Sequence, residues 1–418
     1  MVRLQYPFQK KWPVSVSVGT FCGVFLVIAC PEAQGETLHE AIEAAWHTDP
    51  AHTAYTVDAT AARRNASAAR SWFPGGPIVG GQYYDDHFIG SKVGYTTYQG
   101  SISVPLWLPG QGTATEHAAQ ADEKVAVWQI KVQRLAVATR VIDLARDAAV
   151  TQARIRNLTD VRDALAHTVT DVQKACAAGE VSQADCDMAV AEQEGVEGAL
   201  AEMQQALENI RADLEALTGR DDVPDMAGID GRLLAQRNIR LDITQDPRLQ
   251  LADAALKKAQ ASYNVARHSY MPNPQVGVML SRQEQYQSPW DTQIGVQFQV
   301  PLPSEAVNVP RMMQETQAVS RAERDTILAR RKIKAEYQQL SSQLQSSAEI
   351  VRHARMEQSH AGQRAAHLAE AWKVGEIPVV EYLRARRMAL EAADRLAQAD
   401  VTMRATIARM ILMAGHAP

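Results

Sequence analysis

The sequence is poor in several features that mark common protein classes. Aromatic residues make up only 6% of its 418 residues, the net charge is −5 with a pI near 6.1, and no segment is strongly basic. Nucleic acid is therefore not an expected partner, because phosphate backbones attract clustered Lys and Arg. The sequence also lacks a glycine-rich phosphate loop, a His-Glu-x-x-His motif and a Gly-x-Ser-x-Gly motif. We accordingly predict no catalytic centre, no cofactor and no metal site.

Long hydrophobic runs are equally scarce, and the one that is present lies at the N-terminus. Arg3, Lys10 and Lys11 precede an apolar run from Val14 to Ala29, which small residues follow. The run is short for a membrane-spanning helix and is typical of a secretory signal peptide. We predict a signal peptide over residues 1–35 and an exported mature chain that no helix anchors in a membrane.

The cleavage point of this signal peptide has two interpretations. The tetrapeptide that ends at Cys30, Val-Ile-Ala-Cys, resembles a bacterial lipobox, which would make Cys30 a lipidated N-terminus. The tripeptide that ends at Gly35, Ala-Gln-Gly, would instead suit ordinary signal peptidase. Pro31 directly after Cys30 speaks against the lipobox, and both interpretations stay open.

The remainder of the chain consists of two similar copies of one unit. Equivalent landmarks recur in the same order at a nearly constant offset of 196 or 197 residues: Asp49-Pro50 with Asp246-Pro247, Val104-Pro105-Leu106 with Val300-Pro301-Leu302, and Gly179-Glu180 with Gly375-Glu376. This self-similarity indicates a tandem duplication. We predict repeat 1 over residues 36–219, a polar connector over 220–243, and repeat 2 over 244–418.

Each repeat has the same predicted order of elements. A helix (Leu38–Arg70 or Pro247–Ser269) precedes two strands of about ten residues, and two long helices joined by a short turn follow them. In Thr292–Leu302 apolar and polar residues alternate with a period of two, which is typical of a strand with one face of each kind. The predicted strands are Ile78–Phe88, Thr96–Val104, Gln275–Gln285 and Thr292–Val300. The predicted long helices are Thr113–Ala177, Gln183–Leu217, Arg311–Lys373 and Val379–Ala414.

Strands of this length could cross a bilayer, but four of them cannot close a barrel in lipid, which takes about eight. Several chains would therefore have to share one barrel. The duplicated order of elements, the proline-closed strands and the glycine turns resemble the outer-membrane factor (TolC-like) family of Gram-negative efflux and secretion channels. The resemblance implies a mainly helical fold with membrane β structure, in which three protomers each give four strands to a 12-stranded barrel above a periplasmic helical tunnel.

The resemblance also implies partners and a location. It places the chain in the outer membrane as a homotrimer in contact with lipid, docked to a periplasmic adaptor and an inner-membrane RND-type pump. Within the family, Met271–Val278 and Val300–Pro303 are most similar to the heavy-metal efflux (CzcC-like) branch. The predicted function is a passive exit duct of a tripartite efflux system, with heavy-metal cations as one candidate substrate.

The alternatives are a drug-efflux or type I secretion channel, a periplasmic adaptor, and a secreted coiled-coil structural protein. An adaptor carries one helical hairpin flanked by soluble β-domains and has no such duplication. A structural protein would be soluble without detergent. Under each of these interpretations, we predict that the chain is not an enzyme.

In the family, the turns between the long helices form the periplasmic entrance, and each has a glycine followed six positions later by an acid. Here Gly179 is followed by Asp185, and Gly375 by Glu381, where the family usually has Asp. The carboxylates would pair with neighbours and narrow the entrance, with Arg384, Arg386 and Arg387 as candidate partners. The alternative interpretation, an acid that merely caps its helix, is about equally good for each.

Two cysteines flank the first of these turns on opposite helices. Exported proteins permit disulfides, and an antiparallel hairpin brings Cys176 and Cys186 near each other. A disulfide that braces the tip is one hypothesis. A two-cysteine metal site and a redox role are less favoured alternatives.

Overall fold

The computed structural model describes residues 37–86, 94–229, 232, 242–285 and 288–416. The predicted signal peptide and Cys30 lie outside these residues. Repeat 1 comprises α1 (Leu38–Thr48), α2 (Pro50–Ala68), β1 (Ile78–Asp85), β2 (Tyr95–Pro105), α3 (Gln111–Ala177) and α4 (Gln183–Thr218). Repeat 2 comprises α5 (Pro247–His268), β3 (Gln275–Gln285), β4 (Asp291–Gln299), α6 (Glu305–Lys373) and α7 (Val379–Met413). The prediction of a mainly helical chain that carries four strands is confirmed.

The first helix of repeat 1 differs from the prediction, because it is broken at Asp49. Asp49 is extended, with ψ at 119°, and its side chain accepts a hydrogen bond from the Ala51 amide at 2.8 Å. A residue before proline disfavours the helical region, so Pro50 ends α1 and starts α2. Asp246 before Pro247 has nearly the same ψ, 123°, and caps α5 in the same way.

Two other boundaries differ from the predicted ones by more than two residues. β1 ends at Asp85 rather than at residue 88. Helix α6 begins at Glu305, six residues before the predicted start, and continues through Pro310. Pro310 is the sixth residue of α6 and has no amide hydrogen to donate to the carbonyl four residues earlier, so the helix lacks one backbone hydrogen bond there.

The four strands form one antiparallel sheet in the order β1-β2-β3-β4. The central pairing, between β2 and β3, joins the two repeats along eleven residue pairs. The register places apolar side chains on one face and mainly Gln, Ser and Gly on the other. On the apolar face Val79, Ile294 and Phe298 are 76%, 78% and 75% exposed.

The helices pack side by side below the sheet. Helix α3 packs against α4 and α7 and, nearer the sheet, against α2 and α5, while α6 packs against α7 and α5. At 69 residues, α6 is about 100 Å long. Within the described residues, no helix is both long and apolar enough to traverse a bilayer.

Two large hydrophobic clusters and one small one lie between the helices in the described part of the chain. One large cluster lies at the level of α1 and includes Ile142 and Ile411. The second large cluster lies toward the hairpin ends and includes Leu165, Val172 and Leu383. An apolar seam of α3, which includes Leu158, Leu165 and Val172, lies in the second cluster, with Leu165 and Val172 fully buried. This seam lets a narrow stripe on each helix supply the core, while the other faces stay polar.

The Asp-Pro cap of repeat 2 is also part of a partly buried ion-pair network. The Asp246 side chain is 0% exposed, and its Oδ2 lies 2.9 Å from Nη2 of Arg248. Arg248 also pairs with Glu336 of α6. In repeat 1, the corresponding Asp49 accepts a hydrogen bond from Nε2 of Gln133 at 3.0 Å, and Ala51 stands at the position equivalent to Arg248 (248 − 197 = 51). The same cap is therefore tied to the neighbouring helix by charge in one repeat and by a neutral amide in the other.

Candidate functional site

The turn between α3 and α4, here called tip 1 (residues 176–186), is built on Gly179. Its φ is +79°, in the left-handed region that favours glycine. The Gly179 amide donates to the Cys176 carbonyl at 3.0 Å, and the Glu180 amide donates to the Ala175 carbonyl at 2.9 Å. These two bonds satisfy the last carbonyls of α3 and end the helix.

The turn between α6 and α7, here called tip 2 (residues 372–382), has the same backbone. Gly375 has φ at +77°. Its amide donates to the Trp372 carbonyl at 2.9 Å, and the Glu376 amide donates to the Ala371 carbonyl, also at 2.9 Å. Both predicted glycines thus occupy the turn position that needs positive φ.

The two predicted acids do different local work. At tip 1, the Ser182 side chain accepts a hydrogen bond from the Asp185 amide at 3.2 Å, and its hydroxyl donates to Oδ2 of Asp185 at 2.7 Å. Asp185 is therefore part of the N-terminal cap of α4. At tip 2 the cap residue is Pro378, which has no side-chain acceptor, and Glu381 accepts a hydrogen bond from Nη1 of Arg384 at 2.9 Å.

Of the three candidate arginine partners, only Arg384 contacts Glu381. Arg387 reaches the other hairpin, where its Nε lies 3.3 Å from Oε1 of Glu192 on α4. The hydrogen bond and the charge of Glu192 hold the pKa of Arg387 above its ordinary value. Arg386 donates to the hydroxyl of Tyr382 and to the Val161 carbonyl. These contacts attach the returning helix of repeat 2 to both helices of the first hairpin.

Each tip has a side-chain brace between its two helices, and the braces occupy equivalent positions. The structure brings Cys176 and Cys186 together as a disulfide, with a Cα–Cα distance of 6.6 Å. The same 196-residue offset leads to Trp372 and Tyr382, whose rings stack 5.7 Å apart at an angle of 6°. Sequence reasoning considered the cysteines alone and missed the aromatic pair, although the repeat offset could have found it.

A second functional surface is the apolar face of the sheet. At one end of this face, Tyr83, Tyr98 and Trp290 form a chain of ring contacts with centroids 5.0 and 5.8 Å apart. The guanidinium of Arg282 lies 5.0 Å from the Trp290 ring. Aromatic rings beside a cation at the rim of an apolar band suit a water–lipid boundary.

Among the residues that the structure describes, no three His, Cys, Asp or Glu side chains are grouped so as to hold a metal ion. The two cysteines of tip 1 bond to each other. The tips therefore offer charged and capping groups, and the sheet offers one apolar and one polar surface.

Comparison with known proteins shows a fold. No family model matches the chain, and no curated protein sequence matches it. Solved structures do match. The outer membrane protein VceC from Vibrio cholerae is 16% identical, with a TM-score of 0.75 over 91% of this chain and 96% of VceC.

Two further solved structures have the same architecture. CusC is 13% identical, with a TM-score of 0.74 over 91% of this chain and 92% of its own. The MtrE outer membrane channel of Neisseria gonorrhoeae is 14% identical, with a TM-score of 0.68 over 91% of this chain and 89% of its own. The chain therefore shares the fold of these proteins over most of its length.

Proposed function

We propose that the chain is the outer-membrane channel of a tripartite efflux system and acts as a passive exit duct. Three copies would share a 12-stranded barrel in the outer membrane, above a tunnel of α-helices in the periplasm. The structures that share its fold are described as an outer membrane protein, an outer membrane channel and a protein that forms a transmembrane channel. The same role is proposed for this chain.

The observation that carries the proposal is the apolar face of the sheet, which no other described part of the chain covers. Val79, Ile294, Val296 and Phe298 on this face are all at least 62% exposed. Burial of such a side chain is worth about 1.5–3 kcal/mol, so leaving the four in water forfeits on the order of 10 kcal/mol. A lipid bilayer removes this penalty, and the polar face then lines a water-filled lumen.

The second support is the pair of open sheet edges. β1 and β4 each have one described neighbour, and unpaired strand edges are not tolerated in lipid. Joining β4 of one copy to β1 of the next satisfies both edges and closes a ring. Three copies make 12 strands, which exceeds the minimum of about eight.

The edge helices agree with this head-to-tail arrangement. Helix α4 carries nine carboxylates and one arginine, Arg211, whereas α6 carries eleven Lys and Arg residues and eight carboxylates. Repeat 1 contributes β1 and α4 to one edge of the protomer, and repeat 2 contributes β4 and α6 to the other. The ring therefore sets an acidic helix against a mildly basic one, which favours association of the two edges.

The tips would form the periplasmic entrance and the docking site for an adaptor and an RND-type pump. The ion pair of Arg387 with Glu192 would hold the two hairpins together at rest, while Arg384 pairs with Glu381 within α7. The efflux system would supply the energy, and the duct itself would only conduct.

Fractionation and single-channel recording test the proposal. We expect the full chain in the outer-membrane fraction, as a trimer by light scattering in detergent, and conducting in a planar bilayer. Val296→Arg places a cation on the apolar face at a cost of about 2–4 kcal/mol and should abolish assembly. Gln297→Arg, on the opposite face of the same strand, is the matched control and should assemble.

A monomer in the aqueous fraction without detergent would contradict the proposal and would favour the structural-protein alternative. Equal behaviour of the two arginine variants would also contradict it. The substrate is a separate question, on which the heavy-metal assignment stays a prediction. A deletion strain that becomes sensitive to divalent metal cations, with unchanged drug sensitivity, would support that branch, and the converse would support a drug-efflux channel.

A further inference from the structure

The two strand hairpins of the chain have the same internal register. Val79 of β1 faces Ile102 of β2, and Val276 of β3 faces Phe298 of β4. Superposing the two hairpins therefore equates β1 with β3 at an offset of 197 residues (276 − 79) and β2 with β4 at an offset of 196 (298 − 102). The β2–β3 pairing joins the two hairpins within one chain. Because the hairpins are equivalent, this pairing is an internal example of how two such hairpins join side by side.

This internal junction specifies the junction between neighbouring copies. In it, Ile102 faces Val278. Adding 196 to the number of Ile102 gives its equivalent in β4, Phe298. Subtracting 197 from the number of Val278 gives its equivalent in β1, Gly81. We propose that β4 of one copy pairs with β1 of the next in the register that sets Phe298 opposite Gly81. This inference rests on the proposed shared barrel and adds the atomic match between its subunits.

Other pairs in the same register agree with it. The internal pair of Gly100 with Leu280 becomes Val296 with Tyr83, and the internal pair of Val104 with Val276 becomes Val300 with Val79. The residues of the proposed pairs between copies, other than Gly81, are each at least 50% exposed in the single chain. All of them lie on the apolar face, so the register keeps that face continuous around the ring. A slip of one residue would send the apolar side chains of one strand to the polar face.

The space around Gly81 also fits this pairing. A Cβ at Gly81 would meet nothing closer than the Gln99 carbonyl oxygen at 3.8 Å. The Phe298 ring, 75% exposed in the single chain, can therefore lie over the glycine backbone of the neighbouring strand. An aromatic residue opposite glycine is a recognised way to cover a bare position in an antiparallel pair and to fix its register.

Disulfide cross-linking in the full chain tests the register. Directly opposed residues of an antiparallel pair have Cα atoms about 4.5–5.5 Å apart, which a disulfide spans, whereas diagonal neighbours are about 7–8 Å apart. We expect Gly81→Cys with Phe298→Cys to give a covalent trimer on a non-reducing gel after mild oxidation. The wild-type chain, with its own cysteines retained, is the blank and should give none.

Three further pairs make the result specific. Gly80→Cys with Phe298→Cys puts the two thiols on opposite faces, and Val79→Cys or Tyr83→Cys with Phe298→Cys tests a slip of two residues in either direction. Each should cross-link at least roughly tenfold less than the Gly81 pair. Light scattering in detergent, run on the same samples, reports whether the oligomer has formed.

The outcomes separate the two claims. A trimer that cross-links best through Val79 or Tyr83 would overturn the register and leave the proposed channel standing. A trimer in which none of these pairs reacts would overturn the β4–β1 junction itself. A monomer in detergent would overturn the shared barrel and the register with it.

Discussion

The two repeats follow the same backbone plan with different side chains. Asp49 and Asp246 cap equivalent helices before a proline, and Gly179 and Gly375 turn equivalent hairpins at φ near +78°. By contrast, the side chains that tie these elements to their neighbours differ at the Asp-Pro caps and at the hairpin tips. An ion pair with a buried carboxylate replaces an amide contact, and an aromatic stack replaces a disulfide.

The difference separates two kinds of constraint. Residues that fix the path of the backbone have few substitutes, because glycine adopts the positive φ of each turn without steric cost and proline disfavours the helical region for the residue before it. Residues that link one helix to the next can be exchanged for any group of suitable reach. The comparison predicts that equivalent substitutions in the two repeats have equal effects at backbone positions and unequal effects at linking positions.

The largest expected difference between the repeats, in the free energy of unfolding lost on substitution, is at the Asp-Pro caps. Asp246→Ala should cost about 3 kcal/mol in the free energy of unfolding, because it removes the cap and leaves Arg248 without its fully buried partner. Asp49→Ala should cost about 1 kcal/mol, since it loses only the cap and a neutral hydrogen bond. Urea titration followed by circular dichroism measures both. Equal losses would show that the ion pair with Arg248 contributes nothing net.

The next inequality is between the two braces. Cys176 and Cys186 are ten residues apart in sequence, and a disulfide that closes a short loop stabilises by about 2–3 kcal/mol. Dithiothreitol should therefore speed amide exchange at tip 1 and leave tip 2, which Trp372 and Tyr382 brace, unchanged in the same sample. Free thiols detected by mass spectrometry before reduction would show that the disulfide does not form.

At the turn glycines we expect equality. Gly179→Ala and Gly375→Ala each force an alanine into the left-handed region and should cost about 1–2 kcal/mol. Gly179→Asn and Gly375→Asn are the matched controls and should cost less, because asparagine adopts this region more readily. Thermal unfolding of the four variants measures the differences. A marked disparity between the two alanine variants would mean that one turn is held by contacts other than its own backbone.

The smallest expected effects are at the start of the helix that follows each turn. Ser182→Ala removes the side-chain cap of α4 and should cost about 1 kcal/mol. Glu381→Ala removes an exposed ion pair with Arg384, whose side chain is 70% exposed, and should cost at most about 0.5 kcal/mol. Amide exchange in the first turn of each helix resolves the two. If Glu381→Ala is the more damaging, its role lies in contacts that the single chain does not make.

Much of this architecture could be predicted from the sequence, because its elements are long and strongly patterned. The predicted Gln275–Gln285 strand has the bounds of β3, and the predicted end of α3 at Ala177 is the observed one. Both depend on local signals, which are alternation in the strand and the turn at Gly179. The break at Asp49 has an equally local signal, the Asp-Pro pair, but the predicted helix Leu38–Arg70 continues through it.

The candidate site was less predictable, because its contacts join residues distant in sequence. The contact of Arg387 with Glu192 depends on how α7 lies against the first hairpin, whereas the pair of Arg384 with Glu381 has the local i, i+3 spacing of one helix. Helical periodicity shows which face is apolar, but it does not show which neighbour covers that face. The Trp372–Tyr382 stack could be located only by carrying the repeat offset from the turn glycines to the brace positions.

The eleven pairs between β2 and β3 have a consequence for the width of the proposed pore. Because that pairing joins both hairpins into one four-stranded sheet, the number of strands in the barrel can change only by four, through the gain or loss of a whole chain. With neighbouring strands about 4.8 Å apart, each set of four is about 19 Å wide, measured perpendicular to the strands. Finer differences in pore width would have to come from strand tilt and stagger, which are set by the register between chains.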